Sequence, residues 1–339
     1  MGQDLRVDPP PERLKSIQIE PTTYCNLKCA GCNRTFRENK GTLDIKTMSL
    51  DVFRQVMRNL PPGDLCWLNG YGEPTLNPNL PEMIEVAKQT YEKVFVISNL
   101  LARDMDFYRR MEAAGLDELH ISVDSLNQEV ADLVRFGTDT QKLKARLREV
   151  RATLKVPMII NIVVSEKNLF DVPNTLAELD RIGGFHCGFG DFGAFGDDDV
   201  DYSTWFTTLE HKAVFNAMIE TLVPAMKNIT FKTTEFKQRR RRNPKLRCER
   251  PFFEPAVTVD GLLTPCCVEL HNTMHYGNTS ILDKSFAEAW ASPAVSGWLR
   301  RYLEAEPAMC KECCLNPWRN EKKRASLLDL VGLGGGQAA

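Results

Sequence analysis

No apolar run in this 339-residue chain is long enough to span a bilayer, and the opening Met1-Gly-Gln-Asp-Leu-Arg-Val-Asp-Pro-Pro-Pro lacks the apolar core of a signal peptide. A membrane-spanning or exported protein is therefore not expected, and the chain reads as cytoplasmic. There is no charge excess either: 43 Lys and Arg against 45 Asp and Glu leave a formal net charge of −2. That excludes a global attraction to nucleic acid or to an anionic membrane. What the chain does have is cysteine. Its 11 cysteines are odd in number and gather towards the two ends, which in a reducing compartment points to metal rather than disulfides. A hydrophobic share of 43% is enough for a sizeable core, and the length suggests a main body with an appendage.

Residues 1–13 are Pro-rich and read as a flexible N-terminus; from Leu14 onward short apolar strands alternate with helical patterns. The pattern predicts strands near 16–20, 64–69, 94–98, 118–123, 157–164 and 185–191. Helices are predicted near 49–59, 79–90, 102–114, 141–155, 172–183 and 209–228. Ser49 is a candidate N-cap, and Gly115 and Gly183 are candidate stops. Strands alternating with helices imply α/β units on a parallel sheet, and six of them imply a partial (β/α)6 barrel. In Glu118-Leu-His-Ile-Ser-Val-Asp124, alternation sends Leu119, Ile121 and Val123 to the helices and His120, Ser122 and Asp124 inward. Ser16, Gln18 and Glu20 of the first strand point inward likewise. A closed barrel fills that space with branched apolar side chains; polar ones suggest a cavity for a polar ligand, or else satisfied polar core residues.

The first strand runs into Glu20-Pro-Thr-Thr-Tyr-Cys25-Asn-Leu-Lys-Cys29-Ala-Gly-Cys32. Iron–sulfur cubes are held by cysteine thiolates. Three cysteines leave one corner of a [4Fe–4S] cube open, which suits a catalytic cluster. A zinc knuckle would want a fourth Cys or His close behind, and none stands there. The spacing resembles the signature of the radical S-adenosylmethionine (SAM) superfamily, a resemblance covering roughly residues 16–200. It implies that Cys25, Cys29 and Cys32 hold a cluster whose open iron chelates SAM. Gly70-Tyr-Gly72-Glu73-Pro74 resembles the family's Gly-Gly-Glu-Pro element, which holds the SAM amino group. By the same resemblance Ser98, Asn99, Ser122 and Asp124 are candidate SAM contacts, with turn-capping an equal reading for Asp124. One departure stands out: Gly31 occupies a position that is usually aromatic and supports the adenine, and Phe36 or Tyr71 would have to supply the stacking face.

A second group comprises Cys248, Cys266, Cys310 and Cys313. Between the first two, Ala256–Pro265 reads as a hairpin turning at Asp260-Gly261, and a helix is expected at about 285–303. The pattern resembles the SPASM and twitch domains appended to many radical SAM enzymes. Arg319 and Lys323 replace further SPASM cysteines, so the resemblance implies ligands for one auxiliary [4Fe–4S] cluster, the twitch form; a structural zinc ribbon is the alternative. The spacing looks most like that of deoxy-scyllo-inosamine dehydrogenases. The expected organisation is a flexible 1–13, a barrel over 14–235, a SPASM/twitch domain over 236–325 and a flexible tail over 326–339.

Of the remaining cysteines, Cys66 reads as core, while Cys267 and Cys314 each adjoin a proposed ligand and could replace it. Cys187, on the last barrel strand, is a candidate hydrogen-atom donor to a substrate radical, against simple packing. The basic run Lys237–Arg247 is a solvated segment or a dock for an acidic flavodoxin or ferredoxin electron donor. The resemblance implies reductive cleavage of SAM to a 5′-deoxyadenosyl radical. That radical would take hydrogen from a small polar molecule such as a cyclitol, amino sugar or nucleoside sugar, with the auxiliary cluster assisting the oxidation. The alternatives are a peptide maturase, disfavoured by the short segment before the first strand, a redox-neutral epimerase or decarboxylase, and a non-catalytic electron carrier.

Overall fold

The computed structural model describes residues 5–191, 209–232, 247–270 and 276–307, together with Cys310 and Cys313. Six strands form the parallel body: β1 (Leu14–Ile19), β2 (Gly63–Leu68), β3 (Tyr91–Ser98), β4 (Glu118–Ser122), β5 (Met158–Val164) and β6 (His186–Asp191). Short β7 (Thr230–Phe231) pairs with β6, and the hairpin β8 (Ala256–Val257) and β9 (Leu263–Thr264) closes the other side. The order is β7-β6-β5-β4-β3-β2-β1-β8-β9, parallel throughout except for the antiparallel β8–β9 pair. This is the partial barrel expected from the βα alternation, with helices packed on its outer surface.

The helices of the body are α1 (Asn33–Asn39), α2 (Leu50–Asn59), α3 (Leu80–Lys88), α4 (Met105–Ala113), α5 (Gln128–Val134), α6 (Thr140–Thr153), α7 (Val172–Ile182) and α8 (Leu209–Leu222). Ser49 caps α2 by accepting from the Val52 amide at 3.2 Å. Gly183 ends α7 at φ +79°, and Gly115 follows α4 at φ +98°, in the left-handed region that glycine enters most readily. The core lies between sheet and helices. Ile17, Ile19, Cys66, Leu68, Leu119, Ile121 and Val123 are all fully buried against Phe53, Val56, Met83, Ile84 and Met111. Leu119, Ile121 and Val123 lie in that core, as the alternation of β4 required.

Two short helices, α1 and α5, escaped the periodicity reading because seven residues give barely two turns. The helix expected over 285–303 is two helices, α10 (Phe286–Ala291) and α11 (Pro293–Glu304), following the short α9 (Arg250–Phe253). Ser292 separates them: it stops α10, caps α11 by accepting from the Val295 amide, and precedes Pro293, which cannot continue a helix. The hairpin turns where expected, with Gly261 at φ +77°. β8 also pairs in parallel with β1, Gln18 opposite Ala256 and Ile19 opposite Val257, so the C-terminal hairpin extends the barrel sheet. Among the described residues no helix is long and apolar enough to cross a membrane.

Candidate active site

At the C-terminal ends of the strands lies a cleft of about 300 Å³. Its walls are the loops after β1, β2 and β3, the ends of β4 and β5, and the segment leading out of α5. Cys25, Cys29 and Cys32 line it, as do Gly72, Glu73, Pro74, Ser98, Asn99, Ser122 and Asp124. Residues read from four separate strand ends therefore meet around one space. The three thiols are half-buried and free of disulfides.

Backbone contacts fix the loops to each other. The Gly72 amide donates to the Thr22 carbonyl at 3.1 Å, and the Glu73 amide to the Tyr24 carbonyl at 2.8 Å. A Cβ on Gly72 would stand 2.3 Å from the Thr22 oxygen and 2.4 Å from that of Tyr24, so only glycine permits this approach. Within the cysteine loop, the Leu27 amide points at the Cys25 sulfur at 3.4 Å, and the Cys32 amide donates to the Cys29 carbonyl. Thr23 binds the Asp44 carbonyl through its hydroxyl and accepts the Lys46 amide, bracing the loop from behind.

Glu73 is buried, and its carboxylate is engaged inside the protein. Oε1 accepts from the Thr75 hydroxyl at 2.6 Å, the Ser98 hydroxyl at 2.8 Å and the Thr75 amide at 3.3 Å; Oε2 accepts the Asn99 amide at 2.8 Å. Burial raises its pKa, against the pull of these donors. The carboxylate thus joins the β2 and β3 loops. The Asn99 side chain is committed too, its Nδ2 donating to Asn26 Oδ1 of the cysteine loop at 2.8 Å and its Oδ1 accepting the Leu101 backbone amide. Leu100 between them has φ +65°, a conformation disfavoured for a leucine and held by the bond from its amide to Ser98 Oγ. Ser122 pairs with Asn161 through its backbone, and its hydroxyl, which makes no side-chain hydrogen bond to a described residue, lies at the cleft.

Asp124 serves as a bracket: Oδ1 accepts the Val163 amide at 2.8 Å and Oδ2 accepts from Arg135 at 3.2 Å. Arg135, which no motif announces, lines the cleft. Burial works against its charge, but the fields of Cys29 and Asp124 more than offset this and raise its pKa. Burial pushes the Cys29 thiol up to about 11, opposed by Arg135, and raises Cys25, opposed in part by Arg34. Arg34 is itself buried, donating to the Thr23 carbonyl at 2.7 Å and to Glu38. A buried Arg34 and a half-buried Arg135 beside the thiols suit a ligand set that is anionic when deprotonated. Asn69 Oδ1, on the cleft wall, is buried with no described partner and suits a ligand donor such as an ammonium. These residues fit both an iron–sulfur cube and SAM. Of the two aromatic candidates, Tyr71 lines the cleft, whereas Phe36 faces Lys40, whose Nζ sits 4.4 Å from its ring centroid.

Cys187 does not line the cleft. It is fully buried in the helix-side core, and burial pushes its thiol up to about 12. It belongs with its neighbours Phe185 and Phe189, which also pack on that side.

The second cysteine group gathers beside the hairpin. Cys248, Cys266, Cys310 and Cys313 are half-buried. Cys266 feels the fields of Cys267, Cys313 and Cys310, and Cys248 that of Cys313. Cys267 is there as well: burial raises its pKa, Arg250 opposes this, and Cys313 adds to it. Tyr302 donates to the Cys248 carbonyl at 3.0 Å, stacks on Trp298 and closes this site from α11. Cys314, Arg319, Lys323 and all of the basic run except Arg247 lie outside the described residues. Among the described residues no three His, Cys, Asp or Glu side chains close around a single metal ion.

Comparison with known proteins agrees with this geometry. Residues 19–179 match the radical SAM superfamily, and residues 248–314 match SPASM, an iron–sulfur cluster-binding domain. The tungsten-containing aldehyde ferredoxin oxidoreductase cofactor-modifying protein of Pyrococcus furiosus is 24% identical, over 89% of this chain and 88% of that one. A PqqA peptide cyclase of Granulibacter bethesdensis is 23% identical, over 91% and 80%. The crystal structure of Streptococcus suis SuiB bound to S-adenosylmethionine superposes with a TM-score of 0.65 at 12% identity, covering 91% of this chain and 72% of SuiB. With a [4Fe–4S] cluster and SAM implied by the first domain and auxiliary iron–sulfur chemistry by the second, the chain belongs to the radical SAM superfamily and carries a C-terminal SPASM domain.

Proposed function

We propose that Cys25, Cys29 and Cys32 hold the SAM-binding cluster and that the cleft beside them holds SAM. The observation that carries this reading is the convergence of the three thiols, the Gly70–Pro74 loop and the ends of β3 and β4 on one cleft. When bound, the reduced cluster supplies the electron that splits SAM into methionine and a 5′-deoxyadenosyl radical. The chain's own contribution is placement. Gly72 brings the β2 loop against the cysteine loop, Glu73 locks it to β3, Ser122 offers a hydroxyl, Tyr71 a stacking face and Asn69 an acceptor. Arg135 and Arg34 offset negative charge at the thiolates. Cys248, Cys266, Cys310 and Cys313 are proposed to hold one auxiliary cluster, and a flavodoxin or ferredoxin to supply electrons.

For the substrate we favour a peptide over a cyclitol or amino sugar. The small-molecule reading rested on cysteine spacing, whereas the similarity to a peptide cyclase runs through barrel and SPASM domain alike. The test uses anaerobic, reduced enzyme and an extract of the source cells separated by ultrafiltration into peptide and small-molecule fractions. Faster formation of 5′-deoxyadenosine with the peptide fraction supports the proposal. Stimulation by the small-molecule fraction alone restores the sugar-type substrate.

A further inference from the structure

Glu20 directly follows β1, is fully buried, and its two carboxylate oxygens serve different parts of the chain. Oε1 accepts the amide of Tyr71, in the loop that lines the SAM cleft, at 2.8 Å. Oε2 accepts the amide of Val259, 239 residues away in the turn of the β8–β9 hairpin, at 3.2 Å. The side chain is held tightly where it lies: a Cβ on Gly70 would stand 2.4 Å from Glu20 Cγ and 2.6 Å from Oε1, so Gly70 leaves the room that Glu20 fills. The main chain repeats the link, with the Glu20 amide donating to the Val257 carbonyl at 3.0 Å. The hairpin in turn leads directly into Cys266 and Cys267. One buried carboxylate thus stands between the cleft loop, the entry to the Cys25 loop and the hairpin of the second cysteine site.

We propose that Glu20 is a positioning residue that couples the SAM cleft to the auxiliary hairpin. When SAM settles the Gly70–Pro74 loop, Tyr71 fixes Oε1, and the rigid carboxylate carries that order to Val259 through Oε2. The distance between the two halves of the site then depends on cofactor occupancy. The inference rests on the cleft holding SAM. A second link, Lys46 Nζ to Asp260 Oδ2 at 3.0 Å, lies on the exposed rim and serves as a control.

The test is hydrogen–deuterium exchange of the anaerobically reconstituted full chain with and without SAM. In the wild type, SAM should slow exchange in residues 70–77 and also in 258–262. Glu20→Gln keeps the shape but exchanges one acceptor oxygen for a donor, so one of the two backbone amides must face an N–H. In that variant SAM should still slow residues 70–77, while its effect on 258–262 is lost. A residue that only held the fold together would raise exchange in the hairpin without removing its response to SAM. Lys46→Ala should behave as the wild type. If Glu20→Gln does not load iron, Glu20→Asp retains both oxygens on a stem too short to reach both amides, and its hairpin response should weaken. A wild-type hairpin indifferent to SAM while residues 70–77 respond overturns the coupling, as does an undiminished response in the Glu20 variants or its loss in Lys46→Ala. No response of residues 70–77 in the wild type would overturn the SAM cleft as well.

Discussion

The Gly72 amide and the Thr22 carbonyl are hydrogen-bonded at 3.1 Å, and that same oxygen occupies the space where a Gly72 side chain would begin. The contact is with backbone, which cannot swing aside as a side-chain tip can. Gly72→Ala must push the β2 loop off the cysteine loop, with overpacking of this kind costing about 1–3 kcal/mol. We expect SAM cleavage to be lost while iron at the auxiliary site is retained. Measurement of 5′-deoxyadenosine alongside iron content checks this; near-normal cleavage in Gly72→Ala would show that the loops need not touch.

The Glu73 carboxylate receives four internal hydrogen bonds. Glu73→Ala should therefore weaken folding as well as SAM binding, because a buried donor left without a partner costs about 1–3 kcal/mol. A lower thermal midpoint together with weaker SAM binding is the expected result. Weaker binding at an unchanged midpoint would return Glu73 to the role of a simple ligand.

His120 predicts a pH dependence. Its Nε2 lies 3.0 Å from Glu118 Oε2 and its Nδ1 3.2 Å from Asn161, with Trp67 and Phe95 packed edge-on and tilted against the ring. Burial lowers its pKa below the ordinary 6.5, outweighing Glu118. The unfolded chain then binds the proton more readily, so stability rises with pH across this window. The penalty is absent above about pH 6.5 and grows as pH falls from there towards the lower native value. His120→Gln should flatten denaturation midpoints between pH 7.5 and pH 5.5, pH values set roughly one unit either side of the unfolded titration. An equal slope in both proteins would mean that His120 titrates normally.

Replacing Cys248, Cys266, Cys310 and Cys313 by Ser should remove about half of the iron and sulfide, since a cube at each site holds four of each. SAM cleavage should persist in part. Metal binding is coupled to folding in small ligand-poor domains, so a lower thermal midpoint is expected as well. Iron analysis and absorbance read the outcome; zinc without sulfide at the second site would make it structural.

Most of the barrel was legible because strand alternation and helix periodicity are local. His120, Ser122 and Asp124 face inward for the same reason that Leu119 and Ile121 face the helices. The cleft residues were legible because the cysteine spacing and the Gly-Glu-Pro turn carry specific chemistry. Arg135 was not: it is a single residue with no motif, and only folding brings it against Cys29 and Asp124. Neither was Glu20 on Val259, nor β8 on β1, since pairings across more than two hundred residues leave no local trace. Cys187 did leave a trace. It shares strand parity with Phe185 and Phe189, while the opposite face is His186, Gly188 and Gly190. The apolar set marked the helix side, and the cysteine belonged to it.

The central claim is that three thiols and one cleft split SAM. Anaerobic, dithionite-reduced protein, reconstituted with iron and sulfide, should convert SAM to 5′-deoxyadenosine and methionine. The Cys25→Ala, Cys29→Ala, Cys32→Ala triple variant should keep roughly half of the iron, at the auxiliary site, and form no 5′-deoxyadenosine. Undiminished cleavage in that variant would contradict the account.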